Sequence, residues 1–345
     1  MDRRRWKGSV AIAPNRAVAH GHSSAVLSQA IPELRSGAWR LRSWRITQVL
    51  EHPPNRIVFG TLSYQTRGES RARRREIVAK VYGTDTGPRA LAALWQLWTA
   101  GFRPPARYRV TQPFGYAADH NILFQARAPG VLWADFLRGD GPSLSVASAQ
   151  AAAWLIQLQR GAAASEAGSW RDDDATDQRA ARELLAAFTQ HASGLRPVTE
   201  TLLGLLHPRG AALVPSHGGY HPMNIFTTRR LTTAIDFDKF GRREAAYDVG
   251  YAIGRLLMIS YFDLGAFAPG AHAALAFWRR YESEGQAPWS RVAVQVARFL
   301  LQSLHFELCA LGKDRLDLLA LWTTLMEEWL ASQGPSTLER LVGER

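Results

Sequence analysis

The sequence has 345 residues, 46% of them apolar and 21% charged, close to an ordinary globular protein. This composition excludes a disordered chain, a collagen and a coiled coil, and the length points to two domains or one two-lobed enzyme. The formal net charge is +12 and lopsided, because the first 110 residues carry 18 Arg and 2 Lys against 6 acids. Such a basic first third can meet phosphates, nucleic acid or an anionic surface. No apolar run reaches the roughly 18 residues that a membrane helix needs, so no membrane span is expected. The one cysteine, Cys309, excludes an intramolecular disulfide and fits a reducing, cytoplasmic location.

Residues 1–38 show no sustained periodicity and read as a flexible basic arm. From residue 39 to 126 the pattern is mainly that of strands. Trp44 to Leu50 alternates, Pro53-Pro54-Asn55 turns, and Ile57 to Tyr64 alternates again. Ile77-Val78-Ala79-Lys80-Val81-Tyr82 gives a third strand, after a charged connection containing Arg71, Arg73, Arg74 and Arg75. Pro88 opens a helix that Gly101 closes, with Leu91, Leu94, Trp95 and Trp98 as its expected buried stripe. A strand pair follows near Arg107–Val110 and Asn121–Ala126. From 127 to 345 helical patterns dominate, and the aromatic-rich last third reads as core. An irregular block at 213–240 interrupts them. The fold class is therefore α+β: an antiparallel N-terminal lobe with one helix, then a helical C-terminal lobe.

The irregular block carries the chemistry. It runs Ser216-His217-Gly218-Gly219-Tyr220-His221-Pro222-Met223-Asn224, and Ile235-Asp236-Phe237-Asp238 follows a turn at Thr227–Arg230. Asn224 and Asp236 offer hard oxygen donors of the kind that suit Mg²⁺ held jointly with phosphates. Lys80, one of only four lysines, lies in an apolar strand pattern where an ammonium can meet phosphates.

These residues resemble the aminoglycoside phosphotransferase-like kinases, relatives of choline kinases and protein kinases. That family's loop reads His-Gly-Asp-x-His-x-x-Asn, followed by Ile-Asp-Phe/Trp. His217, Gly218, His221, Asn224, Ile235, Asp236 and Phe237 match it, and Ala246-Tyr247-Asp248 resembles the start of its next helix. The resemblance covers roughly residues 40–330 and implies a protein kinase-like fold. It implies Lys80 on the ATP phosphates, and Asn224 and Asp236 on Mg²⁺. It also implies a hinge at Leu123-Phe124-Gln125-Ala126 for adenine, and Asp248 as support for the loop. The implied activity is transfer of the ATP γ-phosphate to a hydroxyl of a small molecule. Nucleic acid is not an expected partner.

Two departures stand out. Gly219 occupies the position of the family's catalytic aspartate, between His217 and Asn224 in the catalytic loop. General-base catalysis supplies on the order of 10²–10⁴-fold, so its loss impairs turnover and leaves nucleotide binding in place. The alternative reading is an inactive, pseudokinase-like binding or regulatory module. The second departure is that Pro88–Ala100 contains no acid, whereas family members place a glutamate there to pair with the strand lysine.

Overall fold

The computed structural model describes residues 21–139, 141–161, 173–206, 212–313 and 315–343. The first twenty residues of the expected arm lie outside the described residues. The chain divides into a first unit, up to Pro129 together with Thr233–Asp238, and a second unit of Gly130–Thr232 and Lys239 onward. The division falls three residues later than the expected boundary at 126, and a short later segment returns to the first unit.

In the first unit, helices α1 (Gly21–Ala30) and α2 (Pro32–Arg35) precede strands β1 (Trp39–His52), β2 (Asn55–Thr66) and β3 (Ala72–Val81). Helix α3 (Gly87–Thr99) follows, then β4 (Tyr108–Val110), β5 (Pro113–Ala117) and β6 (Ile122–Ala126). Five strands pair antiparallel in the order β1-β2-β3-β6-β5. Two-residue alternation decides the faces. Val58, Leu62 and Tyr64 of β2, Ile77 and Ala79 of β3 and Phe124 of β6 share one buried cluster. Residues of the opposite parity, Lys80 with Ile57 and Leu123 in register, share the other face.

The reading of 1–38 as a flexible arm is corrected for its second half. Residues 21–30 and 32–35 are helical, and Leu27 and Ile31 are fully buried against the sheet cluster. Gly115 makes this docking possible. A Cβ there would sit 1.9 Å from the Ala30 carbonyl oxygen, so any side chain would push α1 off β5. The buried stripe of α3 is corrected too. Ala90, Ala93, Leu94 and Leu97 are buried, whereas Trp95 is exposed. The small alanines allow close packing, and the bulky indole turns outward.

The basic connection is partly internal. Arg75 donates to the Tyr64 hydroxyl (3.1 Å) and the Gln112 amide oxygen (2.8 Å), with its guanidinium over Trp39. Arg73 forms a two-point pair with Glu69.

In the second unit come β7 (Val131–Leu132), α4 (Gly141–Arg160), α5 (Asp173–Ala187) and α6 (Ala192–Leu205). Short strands β8 (Leu213–Ser216), β9 (Ile225–Thr227) and β10 (Thr232–Ala234) follow, the last passing back into the first unit. Then come β11 (Gly241–Glu244), α7 (Ala246–Leu264), α8 (Ala268–Glu282), α9 (Trp289–His305), α10 (Leu316–Ala331) and α11 (Ser336–Gly343). The aromatic residues form the core as expected. Phe277, Tyr281, Trp322 and Trp329 are fully buried, and Phe306 is the exposed exception. A buried ion pair, Arg298–Asp177 at 2.6 Å, ties α9 to α5. Among the described residues no helix is long and apolar enough to cross a membrane.

Candidate functional site

In the first unit, Lys80 stands near the end of β3, in register with Ile57 on one side and Leu123 on the other. Its Nζ donates to Asp236 Oδ1 and to Asp238 Oδ2, each at 2.6 Å. The Tyr82 hydroxyl donates to Asp238 Oδ1 at 2.8 Å, and the Lys80 ammonium lies over the Tyr82 ring. Lys80 is only 8% exposed. Burial pulls its pKa down, but the two carboxylates more than offset this and hold it above 10.5. Burial, with the charge of Asp236, pushes Asp238 above the usual carboxylate range despite Lys80. Burial and then the charge of Asp238 push the Tyr82 phenol well above its ordinary value.

Asp236 has φ +70°, a left-handed backbone that residues with side chains seldom adopt. Asp tolerates it better than most, at about 1–3 kcal/mol. The structure therefore answers which residue pairs with Lys80. Both partners lie two residues apart on one segment, and α3 supplies neither. Sequence reasoning missed Asp238 and Tyr82 in this role. The available signal was the spacing of Asp238 from Asp236, on the same parity.

In the second unit the loop after β8 is organised from beneath by Asp248, in the first turn of α7. Its Oδ2 accepts from the Ser216 hydroxyl (2.9 Å) and the His217 amide (2.7 Å), and its Oδ1 accepts from the Gly218 amide (3.0 Å). The side chain is 1% exposed, so these donors replace its water. Gly218 has φ +80°, and a Cβ there would lie 2.2 Å from the Lys239 carbonyl oxygen, so the turn requires glycine.

His217 is fully buried, edge-on to Trp154 and Tyr220, and its Nδ1 accepts from the Gly219 amide at 3.3 Å. His217, named with Gly219 and Asn224 as a candidate catalytic residue of the loop, is thus placed as a buried residue that helps to shape it. His221 Nδ1 accepts from the Met223 amide (3.2 Å), and its Nε2 lies 3.1 Å from Asn224 Nδ2. Both ring nitrogens are engaged in the loop. Asn224 ends the short turn Pro222–Asn224, and its Nδ2 donates to the Gly219 carbonyl (3.1 Å). That bond orients Oδ1 as the amide's remaining donor oxygen.

Gly219 itself is open. A Cβ there would meet nothing closer than His217 Nδ1, at 3.9 Å.

The expected hinge segment lies on β6. The Phe124 side chain belongs to the sheet core on the face away from Lys80, as alternation dictates. The Ala126 amide already donates to the Gln112 carbonyl (2.8 Å), and the Arg127 amide to Glu76 (3.2 Å). Gln125, like Leu123, shares the Lys80 face, and its Oε1 accepts from the Thr111 hydroxyl at 2.9 Å.

Comparison with known proteins bears on this arrangement. The chain is similar in fold to a choline/ethanolamine kinase family protein from Mesorhizobium loti. The TM-score is 0.53 at 14% identity, covering 93% of this chain and 98% of that one. It is similar to an amicoumacin kinase in complex with AMP-PNP, Ca²⁺ and Ami, at TM-score 0.54 and 13% identity over 94% and 95% of the two chains. A spectinomycin phosphotransferase in complex with ADP and spectinomycin gives 0.52 at 10% identity, over 94% and 98%. At these identities the likeness shows the protein kinase-like fold. Comparison with curated protein sequences gives no match. The model of the phosphotransferase enzyme family matches residues 70–294. That match spans both motif clusters, from before Lys80 to beyond Asp248, and covers more than half of the sequence, so the chain belongs to the phosphotransferase enzyme family.

Proposed function

We propose that this chain binds ATP with Mg²⁺ and is a small-molecule kinase whose turnover is held back by Gly219. The observation that carries the reading is the buried Lys80 ammonium, paired at 2.6 Å with the Asp236 carboxylate of the Ile-Asp-Phe motif. Lys80 is assigned to the α- and β-phosphates, as a point charge on a rigid strand.

The donor chemistry fits magnesium. Asp236 and Asn224 supply hard oxygens. Among the described residues no three or more His, Cys, Asp or Glu converge as a metal site of their own, so the cation would depend on phosphate oxygens as well. When bound, magnesium neutralises phosphate charge. The chain's own residues then hold and orient. Adenine is assigned to the hinge at Leu123–Ala126, on the side of Gln125, with the Phe124 ring in the sheet core and the Ala126 amide on Gln112. The substrate hydroxyl would meet the loop at Gly219, where no side chain accepts its proton.

Gly219 also favours a second reading, a nucleotide-binding module without turnover. Under either reading, calorimetric titration with ATP, with and without Mg²⁺, shows magnesium-enhanced binding that Lys80→Ala weakens. No binding at millimolar ATP refutes both. The acceptor screen that follows uses small hydroxyl compounds of varied charge.

A further inference from the structure

Lys80 holds two carboxylates at once, and the two are not equivalent. The Asp236 side chain is 40% exposed and stands on left-handed backbone. The Asp238 side chain is 21% exposed and also receives the Tyr82 hydroxyl. Helix α3 supplies no acid to this cluster. A buried ammonium needs a counter-charge whatever else binds nearby, because an uncompensated buried charge is strongly disfavoured. A divalent cation that draws on Asp236 removes one of the two partners of Lys80. If Asp236 were the sole partner, lysine and cation would compete for one carboxylate.

We infer that Asp238, pinned by Tyr82, is a positioning residue that retains Lys80 when Asp236 turns to a divalent cation. The arrangement divides the work between two carboxylates on one short segment. Asp238 is held through both of its oxygens, Oδ2 by Lys80 and Oδ1 by Tyr82. Tyr82 fixes Asp238 Oδ1 from the same strand end that carries Lys80, so lysine, tyrosine and carboxylate move together. This inference rests on the nucleotide and magnesium reading above.

The test measures metal binding rather than turnover. Mn²⁺ replaces Mg²⁺ as an electron paramagnetic resonance probe, with AMP-PNP raised to saturate each variant. Coupled sites typically differ by 5–150-fold, so Asp238→Asn is expected to weaken Mn²⁺ roughly tenfold. Tyr82→Phe removes a donor but no charge, and weakens Mn²⁺ by a smaller factor. The deciding variant is Asp238→Asn combined with Lys80→Met. If Asp238 acts only by holding Lys80, removing the lysine releases Asp236, and the double variant regains the affinity of Lys80→Met alone. A double variant as weak as Asp238→Asn would mean that Asp238 itself ligates the metal, and overturns the inference. So does an Asp238→Asn variant with unchanged affinity. A wild-type chain that binds no Mn²⁺ with AMP-PNP overturns the nucleotide and magnesium reading itself. Binding without the suppression overturns only the role of Asp238.

Discussion

A carboxylate returned at position 219 has somewhere to stand. The nearest heavy atom to its Cβ would be His217 Nδ1 at 3.9 Å, an ordinary contact. Gly219 is not among the residues with positive φ, so Gly219→Asp meets no backbone strain. The Gly219 amide keeps its bond to His217. Fewer unfolded conformations add about 0.4–1 kcal/mol of stability. The catalytic gain is larger. A positioned general base is worth on the order of 10²–10⁴-fold, or about 3–5 kcal/mol of barrier. The assay is ADP release across a panel of hydroxyl acceptors, with Gly219→Asn and Gly219→Ala as controls of size without basicity. Gly219→Asp should exceed Gly219→Asn by at least about 100-fold in kcat. Equal gains in Asp and Asn would refute the base argument. No gain, with Mg·ATP binding intact, would favour the module without turnover. A stability loss above about 2 kcal/mol would refute the open space on which the reasoning stands.

Other predictions concern the frame. Leu27→Ala or Ile31→Ala should each cost about 2–5 kcal/mol in urea unfolding, because both side chains are fully buried; a flexible arm would lose nothing. Asp248→Ala strands the Ser216 hydroxyl and the His217 and Gly218 amides, and should cost about 3 kcal/mol or more. Calorimetry should also show weaker Mg·ATP binding, and unchanged stability would refute the anchoring role. The pKa of Lys80 is raised on folding, so its contribution is complete below its unfolded value of 10.5 and fades as pH climbs through the folded value. The stability gap between wild type and Lys80→Met should therefore hold constant from about pH 8 to about pH 10 and then narrow. A gap that widens with pH would refute the assignment.

Much of this is legible in the sequence, and what is not has physical causes. The strands of the first unit follow two-residue alternation, and Lys80 lies in β3 where alternation puts it. The loop motif and the supporting role of Asp248 were carried by resemblance, and Asp248 does hold the loop. Helix α1 was not readable. Its segment is rich in serine, and Val26, Leu27, Ala30 and Ile31 are too few to establish a period. Their burial comes from the sheet that they cover. The stripe of α3 failed for a different reason. Two registers of apolar residues coexist on that helix, and the tertiary fit selects the alanine side. The partners of Lys80 lie 156 and 158 residues away in sequence, a distance that no local pattern spans.

Under the proposed reading, the loop's geometry would let binding and turnover separate in this chain. No bond that shapes the loop requires a side chain at 219. Asp248 fixes Ser216, His217 and Gly218, and Gly218 provides the turn. Asn224 is oriented by the carbonyl of residue 219, and His217 receives its amide, both of which are backbone groups that any residue supplies. An aspartate at this position would add a proton acceptor to a frame already complete. Its absence removes that acceptor and nothing else, so Asn224 keeps its orientation and Asp236 keeps its partners. Substitutions of Asp248 should therefore damage nucleotide binding and stability together, whereas substitutions at Gly219 should move the chemical step and leave nucleotide binding in place.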